Sequence, residues 1–226
     1  AVGGRYNPST DTWTATNSTN AANNGQGITA IWTGKEMIVW GGLDDAFVFH
    51  NDGARYNPTT DSWLRTTTMN VPQARGLHSA EWTGSEMVIW GGFSSGVSAP
   101  GGRYDPATDS WRTVTTVGAP AGRENATNVW TGTEVIFWGG EPDGNSFTTG
   151  TGGRYNPVTD TWKLTTKTNA PYTTYGHSAV WTGTEMIVYG GIGSSLNAKR
   201  YNPTTNTWTD ATMVNDPGHR DHHGAV

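Results

Sequence analysis

Short unbroken apolar runs, each closed by Gly-Gly, punctuate an otherwise polar chain. They are Met37-Ile-Val-Trp40, Met87-Val-Ile-Trp90, Val135-Ile-Phe-Trp138 and Met186-Ile-Val-Tyr189. A strand with one face in water alternates apolar and polar residues, so these runs predict strands buried on both faces. Each is preceded by Trp-Thr-Gly-x-Glu, starting at Trp32, Trp82, Trp130 and Trp181. The Gly-x pair in that motif suits a tight two-residue hairpin turn. Upstream of it, as in His177-Ser-Ala-Val-Trp-Thr182, a β-branched and aromatic stretch predicts a partner strand. Downstream, a loop of variable length leads to a third strand, Lys199-Arg-Tyr-Asn202. The Asn-Pro-Thr-Thr-Asn turn of 202–206 follows, in which Pro presets φ and Asn bonds its own backbone. A fourth strand is predicted at 207–211. No helical periodicity appears anywhere.

The third and fourth strands recur more often than the first two. Arg-Tyr-Asn/Asp-Pro begins at Arg5, Arg55, Arg103, Arg154 and Arg200, with a Trp seven residues after each Tyr. The pairs are Tyr6/Trp13, Tyr56/Trp63, Tyr104/Trp111, Tyr155/Trp162 and Tyr201/Trp208, and successive tyrosines lie 50, 48, 51 and 46 residues apart. Four short antiparallel strands at a period near 50 predict an all-β propeller, with blades that bury their aromatic faces against each other. A Trp buries on the order of 200 Å², and the chain has 12 of them.

The order of apolar run, Gly-Gly, variable loop, Tyr-Asn/Asp-Pro and Trp resembles the kelch repeat, within the superfamily of the galactose oxidase central domain. The wording Trp-Thr-Gly-x-Glu-Met-Ile-Val-Trp-Gly-Gly is similar to bacterial kelch repeats. The resemblance covers essentially the whole chain. It implies a single kelch-type β-propeller over 1–226, with the strand before the apolar run innermost and the Trp strand outermost. About five four-stranded antiparallel blades are represented, in segments 3–17, 28–67, 78–116, 126–167, 177–212 and 222–226. The first and last are incomplete: joined, they make a blade without its Glu-Met-Ile-Val-Trp-Gly-Gly strand. The expectation is a piece of a longer polypeptide, with a strand from another chain or imperfect closure as the alternative.

Composition narrows the chemistry. Net charge is −5 over 226 residues, which offers no electrostatic footprint for nucleic acid. No apolar stretch is long enough to insert in a membrane. There is no cysteine, so neither disulfides nor thiolate chemistry are available.

Residues common to all repeats suggest scaffold. Glu36, Glu86, Glu134, Glu185 and the five motif arginines are expected to form interblade bonds. The informative residues are those that differ between repeats. The segments entering the innermost strands are expected to rim the central channel. Seven residues before each motif Trp stand Gly25, Arg75, Arg123 and Thr174, with Arg220 at the same place in the last copy. Four residues before it stand Ile28, His78, Ala126, His177 and His223. With Glu124, Asn125, Tyr175, His219, Asp221 and His222, the arginines and histidines suggest a polar mouth for an anionic or sugar-like ligand, since Arg matches carboxylate or phosphate with its planar fork. A scaffold role for the same Arg and His is the competing reading and the favoured one. Three histidines in separate blades fit metal binding poorly, and no metal or other cofactor is expected. The second variable set is the loops after Gly-Gly. Asp44, Asp45, Phe47, Phe49, Phe93, Asp143, Asn145 and Phe147 are candidate partner-binding residues there.

The copper radical oxidases similar to galactose oxidase require a Cys cross-linked to Tyr, which this chain cannot supply. A mutarotase-like acid/base role would fall on Glu124 beside Arg123, but no paired carboxylate or nucleophile triad accompanies it. The sequence therefore favours a non-enzymatic interaction or structural module. It is expected to be bacterial, extracytoplasmic or secreted, and to engage a protein partner or additional chain. A carbohydrate-binding or carbohydrate-active propeller is the alternative.

Overall fold

The computed structural model describes residues 3–22, 25–94, 100–142, 150–172, 175–192, 198–212 and 214–225. Every regular element among them is a β-strand. The first sheet is a hairpin, β1 (Gly4–Asn7) and β2 (Thr12–Ala15). Four complete sheets follow. They are β3 (Thr29–Trp32), β4 (Met37–Trp40), β5 (Gly53–Asn57) and β6 (Ser62–Arg65); β7 (Ser79–Trp82), β8 (Met87–Trp90), β9 (Gly102–Asp105) and β10 (Ser110–Thr113); β11 (Thr127–Trp130), β12 (Val135–Trp138), β13 (Gly152–Asn156) and β14 (Thr161–Leu164); and β15 (Ser178–Trp181), β16 (Met186–Tyr189), β17 (Lys199–Asn202) and β18 (Thr207–Asp210). Each is an antiparallel meander in chain order. The first strands β3, β7, β11 and β15 adjoin one another in succession and so lie innermost. Residues 218–223 pack beyond β15 at the place where a fifth innermost strand would begin, as described below.

The predicted strands appear with trimmed ends. The apolar runs of β8 and β12 are buried throughout because they have neighbours on both edges and on both faces, whereas in β4 Met37 and in β16 Ile187 and Tyr189 are half-buried. Val88, Val135 and Phe137 join Trp90, Tyr155 and Trp162 in one interblade cluster; Ile136, Trp138, Met186 and Val188 join Tyr201 and Trp208 in another; Ile38, Trp40, Met87 and Ile89 join Tyr104 and Trp111 in a third. The core is thus a series of walls between blades rather than one central mass.

The invariant polar residues stitch these walls. Glu36, Glu86, Glu134 and Glu185 pair within their own blade with Arg55, Arg103, Arg154 and Arg200 at 3.8, 3.6, 3.6 and 3.5 Å. The arginine then reaches across: Arg5, Arg55, Arg103 and Arg154 each donate to the Pro carbonyl of the next blade, at Pro58, Pro106, Pro157 and Pro203. The ion pair lies inside the blade and the hydrogen bond between blades, which separates two roles the sequence left together. The turn residues five after each Tyr, Asp61, Asp109, Asp160 and Asn206, adopt positive φ. Their side chains accept the hydroxyl of their own Tyr and a backbone N–H of the preceding blade, at Asn17, Thr67, Thr115 and Thr166.

Candidate functional site: the mouth of the ring and its loops

Both residues of each Gly-Gly have positive φ, and a second requirement excludes side chains there. A Cβ on Gly91 would sit 2.2 Å from the carbonyl oxygen of Arg123, and one on Gly190 would sit 2.3 Å from that of Arg220. The backbone of one blade therefore rests on the entry segment of the next. Gly42, Gly92 and Gly191 donate their N–H groups to the carbonyls of Arg75, Arg123 and Arg220. Just beyond, Leu43, Phe93 and Glu141 bridge to Gln26, Gly76 and Glu124, so the loops after Gly-Gly start beside the segments entering the innermost strands.

Those segments build the rim. Leu77 donates its N–H to Gly27, Asn125 to Leu77, and His222 to Gly176, at 2.8, 3.0 and 2.7 Å. Gly27, Leu77, Asn125, Gly176 and His222 all have φ between 48° and 71°, a conformation that bends the chain around the mouth. A cavity of about 420 Å³ lies inside the rim, lined by Gly27/Ile28, Leu77/His78, Asn125/Ala126, Gly176/His177 and His222/His223. One residue pair comes from each of the four complete blades and the fifth from the C-terminal segment. The mouth is thus a five-part ring.

The structure brings His78, Asn125, His177 and His223 to this cavity, but the histidines serve the scaffold. Their Nε2 atoms bond the hydroxyls of Thr29, Thr127 and Ser178 in the preceding blade at 2.6, 2.8 and 2.8 Å. Where Ala126 replaces the His, Ser79 bonds the Ala126 carbonyl instead at 2.7 Å. Burial, aided by the charge of Arg75, pushes the His78 pKa down to about 3, so this ring is neutral. Among the described residues no cluster of His, Asp or Glu is arranged to hold a metal ion.

Arg75 and Arg123 are almost wholly buried, 1% and 2% exposed, and their guanidinium groups grip main chain. Arg75 donates to the carbonyls of Gln73, Gly91 and Pro100; Arg123 donates to those of Ala121, Gly139 and Thr151. Desolvation pulls both pKa values down to about 10, still well above neutral pH. These forks fasten each variable loop to its own Gly-Gly. Arg220 is different. It is exposed, and among the described residues its guanidinium donates to the carbonyls of Gly218 and Pro217 of its own segment. Glu124 is partly buried, with its pKa raised by desolvation and by Glu141. Asn125 is exposed, and the Tyr175 ring meets the His222 ring edge-on at 6.1 Å.

The loop of the first complete blade is ordered by Asp44. Its carboxylate accepts the N–H groups of Ala46 and Val48 and contacts His50 Nε2 at 3.1 Å, while Asp45 points to solvent. Those backbone bonds hold the Asp44 pKa below the ordinary carboxylate range. Phe47 takes positive φ at the loop tip and is 76% exposed, with Val48 beside it at 53%. Phe49 folds back half-buried and meets the exposed Phe93 of the next blade edge-on at 5.6 Å. Asp143, Asn145 and Phe147 lie outside the described residues.

One pair escaped the sequence reading. In the walls on either side, Ile31 with Ala80 and Val129 with Ala179 pack apolar residues of adjacent innermost strands. In the middle wall the same positions hold Glu81 and Asn128, hydrogen-bonded at 2.7 Å. Burial raises the Glu81 pKa. The break in the repeat pattern was visible in the sequence, but only the fold shows that the two residues meet.

Four complete antiparallel blades around a common mouth, with scaffold residues repeated and loops varied, define a β-propeller. The sequence profile described as the KLHDC2/KLHL20/DRC7 Kelch-repeats domain matches residues 5–191, and the chain belongs to the kelch-repeat family. No curated protein sequence matches it significantly.

Proposed function

We propose that this propeller is a non-enzymatic protein-interaction module that docks a partner on its mouth face. The observation that carries this reading is the apolar ridge of Phe47, Val48 and Phe93, held in place by the Asp44-capped loop and the Phe49–Phe93 contact. A rigid exposed aromatic on a fixed loop is an economical anchor for a protein surface. A sugar or anion pocket built on the arginines draws less support from this geometry, because Arg75 and Arg123 already donate to backbone carbonyls. An extracytoplasmic setting within a larger protein or assembly belongs to the same proposal.

The test is retention of partners from the source cell by the immobilised propeller and by a Phe47→Asp/Val48→Asp variant with unchanged thermal unfolding. A protein retained by the wild type should fall at least tenfold with the variant. Equal retention by both would sink the reading, and selective binding to a glycan array would replace it with the carbohydrate alternative.

A further inference from the structure

In three successive blades the residue after Gly-Gly is bridged to the segment entering the innermost strand of its own blade. The antiparallel pairs are Leu43 with Gln26, Phe93 with Gly76, and Glu141 with Glu124. Two of these pairs are uncharged, and the third sets two carboxylates directly opposite each other. Glu124 and Glu141 exchange both main-chain hydrogen bonds, each at 2.9 Å. In such a pair the Cα atoms lie about 5.5 Å apart and the side chains leave the same face of the ladder. Both residues are half-buried, and the pKa of Glu124 is raised by desolvation and by Glu141. The neighbouring Arg123 turns its guanidinium to the carbonyls of Ala121, Gly139 and Thr151. Among the described residues neither carboxylate has an ion-pair partner. Like charges placed opposite each other destabilise a sheet, and natural chains accept such a local cost chiefly at functional sites.

The acid pair adjoins the apolar ridge. Gly92 donates its N–H to the Arg123 carbonyl at 2.8 Å, and the residues that follow these two are Phe93 and Glu124. Phe93 is 39% exposed and meets Phe49 at 5.6 Å, which ties it to the loop bearing Phe47 and Val48. Asp45 stands exposed on that same loop. Exposed aromatics therefore lie between carboxylates on the mouth face.

We propose that the partner docking on the mouth face is a basic, apolar polypeptide segment. Its apolar side chains lie on Phe47, Val48 and Phe93, and a Lys or Arg beside them sits between Glu124 and Glu141. The inference rests on the protein-docking reading above and names the chemistry of that partner. A cation between the two carboxylates removes their repulsion and makes charge-assisted hydrogen bonds to both. Opposite charge also speeds encounter with a chain of net charge −5. A bare divalent ion fits the pair poorly. Two carboxylates supply only part of the roughly six to eight oxygens that Ca²⁺ takes, and an ion gives the adjoining aromatics nothing to contact.

The probe is a random-peptide library displayed on phage and selected on the immobilised whole chain at low salt. The wild type should enrich peptides with Lys or Arg beside large apolar residues. A dye-labelled synthetic copy of the strongest binder should bind the Glu124→Gln/Glu141→Gln variant about tenfold more weakly, the worth of one partly buried ion pair. That difference should shrink as salt rises. The same peptide should not bind Phe47→Asp/Val48→Asp. Without peptide, Glu141→Gln should raise the Tm by about 1–3 °C, because it relieves the like-charge contact; a carboxylate that only held the loop would lower it when removed. Enriched peptides that lack basic residues, or that bind the glutamine variant as well as the wild type, overturn this inference. They leave the mouth-face reading standing if Phe47→Asp/Val48→Asp still rejects them. No enrichment, or equal binding to Phe47→Asp/Val48→Asp, overturns both. A fall in Tm with Glu141→Gln, or saturable Ca²⁺ binding that the glutamine variant loses, overturns the acid pair as a site for the partner's cation.

Discussion

A neutral histidine clamped between two blades makes His78 a liability in acid. Its folded pKa lies near 3, below the ordinary value of 6.5. The unfolded chain therefore binds a proton first as pH falls. Stability is unaffected above about pH 7 and is lost progressively from the ordinary value down toward pH 3, by up to about 1.4 kcal/mol per pH unit. Urea unfolding from pH 7.5 to 4 should show a steeper acid loss for the wild type than for His78→Gln. Parallel curves would mean that the ring is protonated in the folded state. At this scale the sequence favoured a scaffold role for these residues but did not name the partners that give it. Spacing from the motif Trp gave His78, His177 and His223 equivalent positions, and all three line the cavity at the mouth. Spacing carries no information on side-chain direction, so the hydroxyl partners Thr29, Thr127 and Ser178 and the carbonyl partners of Arg75 and Arg123 were not legible.

Among the elements, the innermost strands offer the sharpest comparison. Three walls share one geometry, but only the middle one carries a hydrogen-bonded polar pair in place of apolar residues. Buried polar pairs are commonly no better than apolar ones of similar size, while breaking them leaves an orphan. Asn128→Ala alone should cost about 1–3 kcal/mol, because Glu81 loses its amide donor. Glu81→Ile with Asn128→Ala recreates the Ile31–Ala80 arrangement and should be neutral or stabilising, by up to about 3 kcal/mol. The raised pKa of Glu81 gives the sign of the pH dependence: its favourable contribution is complete below the unfolded pKa and fades as pH rises through the folded one. The gain of the double variant should accordingly be larger at pH 7 than at pH 4. A double-mutant cycle by chemical denaturation decides this, and additive losses would mean the pair is not coupled. The second strands, by contrast, were read without error of type. Continuous apolar residues mean burial on both faces, and the walls of Trp, Tyr and Met show why.

At the scale of the whole molecule, the ring is a chain of nearest-neighbour contacts, so its junctions can be tested one at a time. Gly190 has φ +70°, and a Cβ there would meet the Arg220 carbonyl at 2.3 Å and His223 Cε1 at 2.8 Å. Gly190→Ala should free residues 218–225 while leaving the blades folded. Limited proteolysis should then cut near Arg220 much faster than in the wild type, with the cooperative unfolding transition retained. Loss of the transition itself would show that the C-terminal segment holds more than one blade.

The sequence by itself determined the all-β class, the four-strand repeat and the identity of the scaffold residues. All of these follow from local rules, namely apolar periodicity, turn chemistry and a repeat seen several times over. The tertiary structure decided which side chains meet across blades, and that the mouth histidines and two of its arginines are fastened to neighbours. Those outcomes depend on how twisted sheets stack around a common mouth. Two residues such as Glu81 and Asn128, or Gly176 and His222, become neighbours only when the blades stack round it, and no local pattern records that distance.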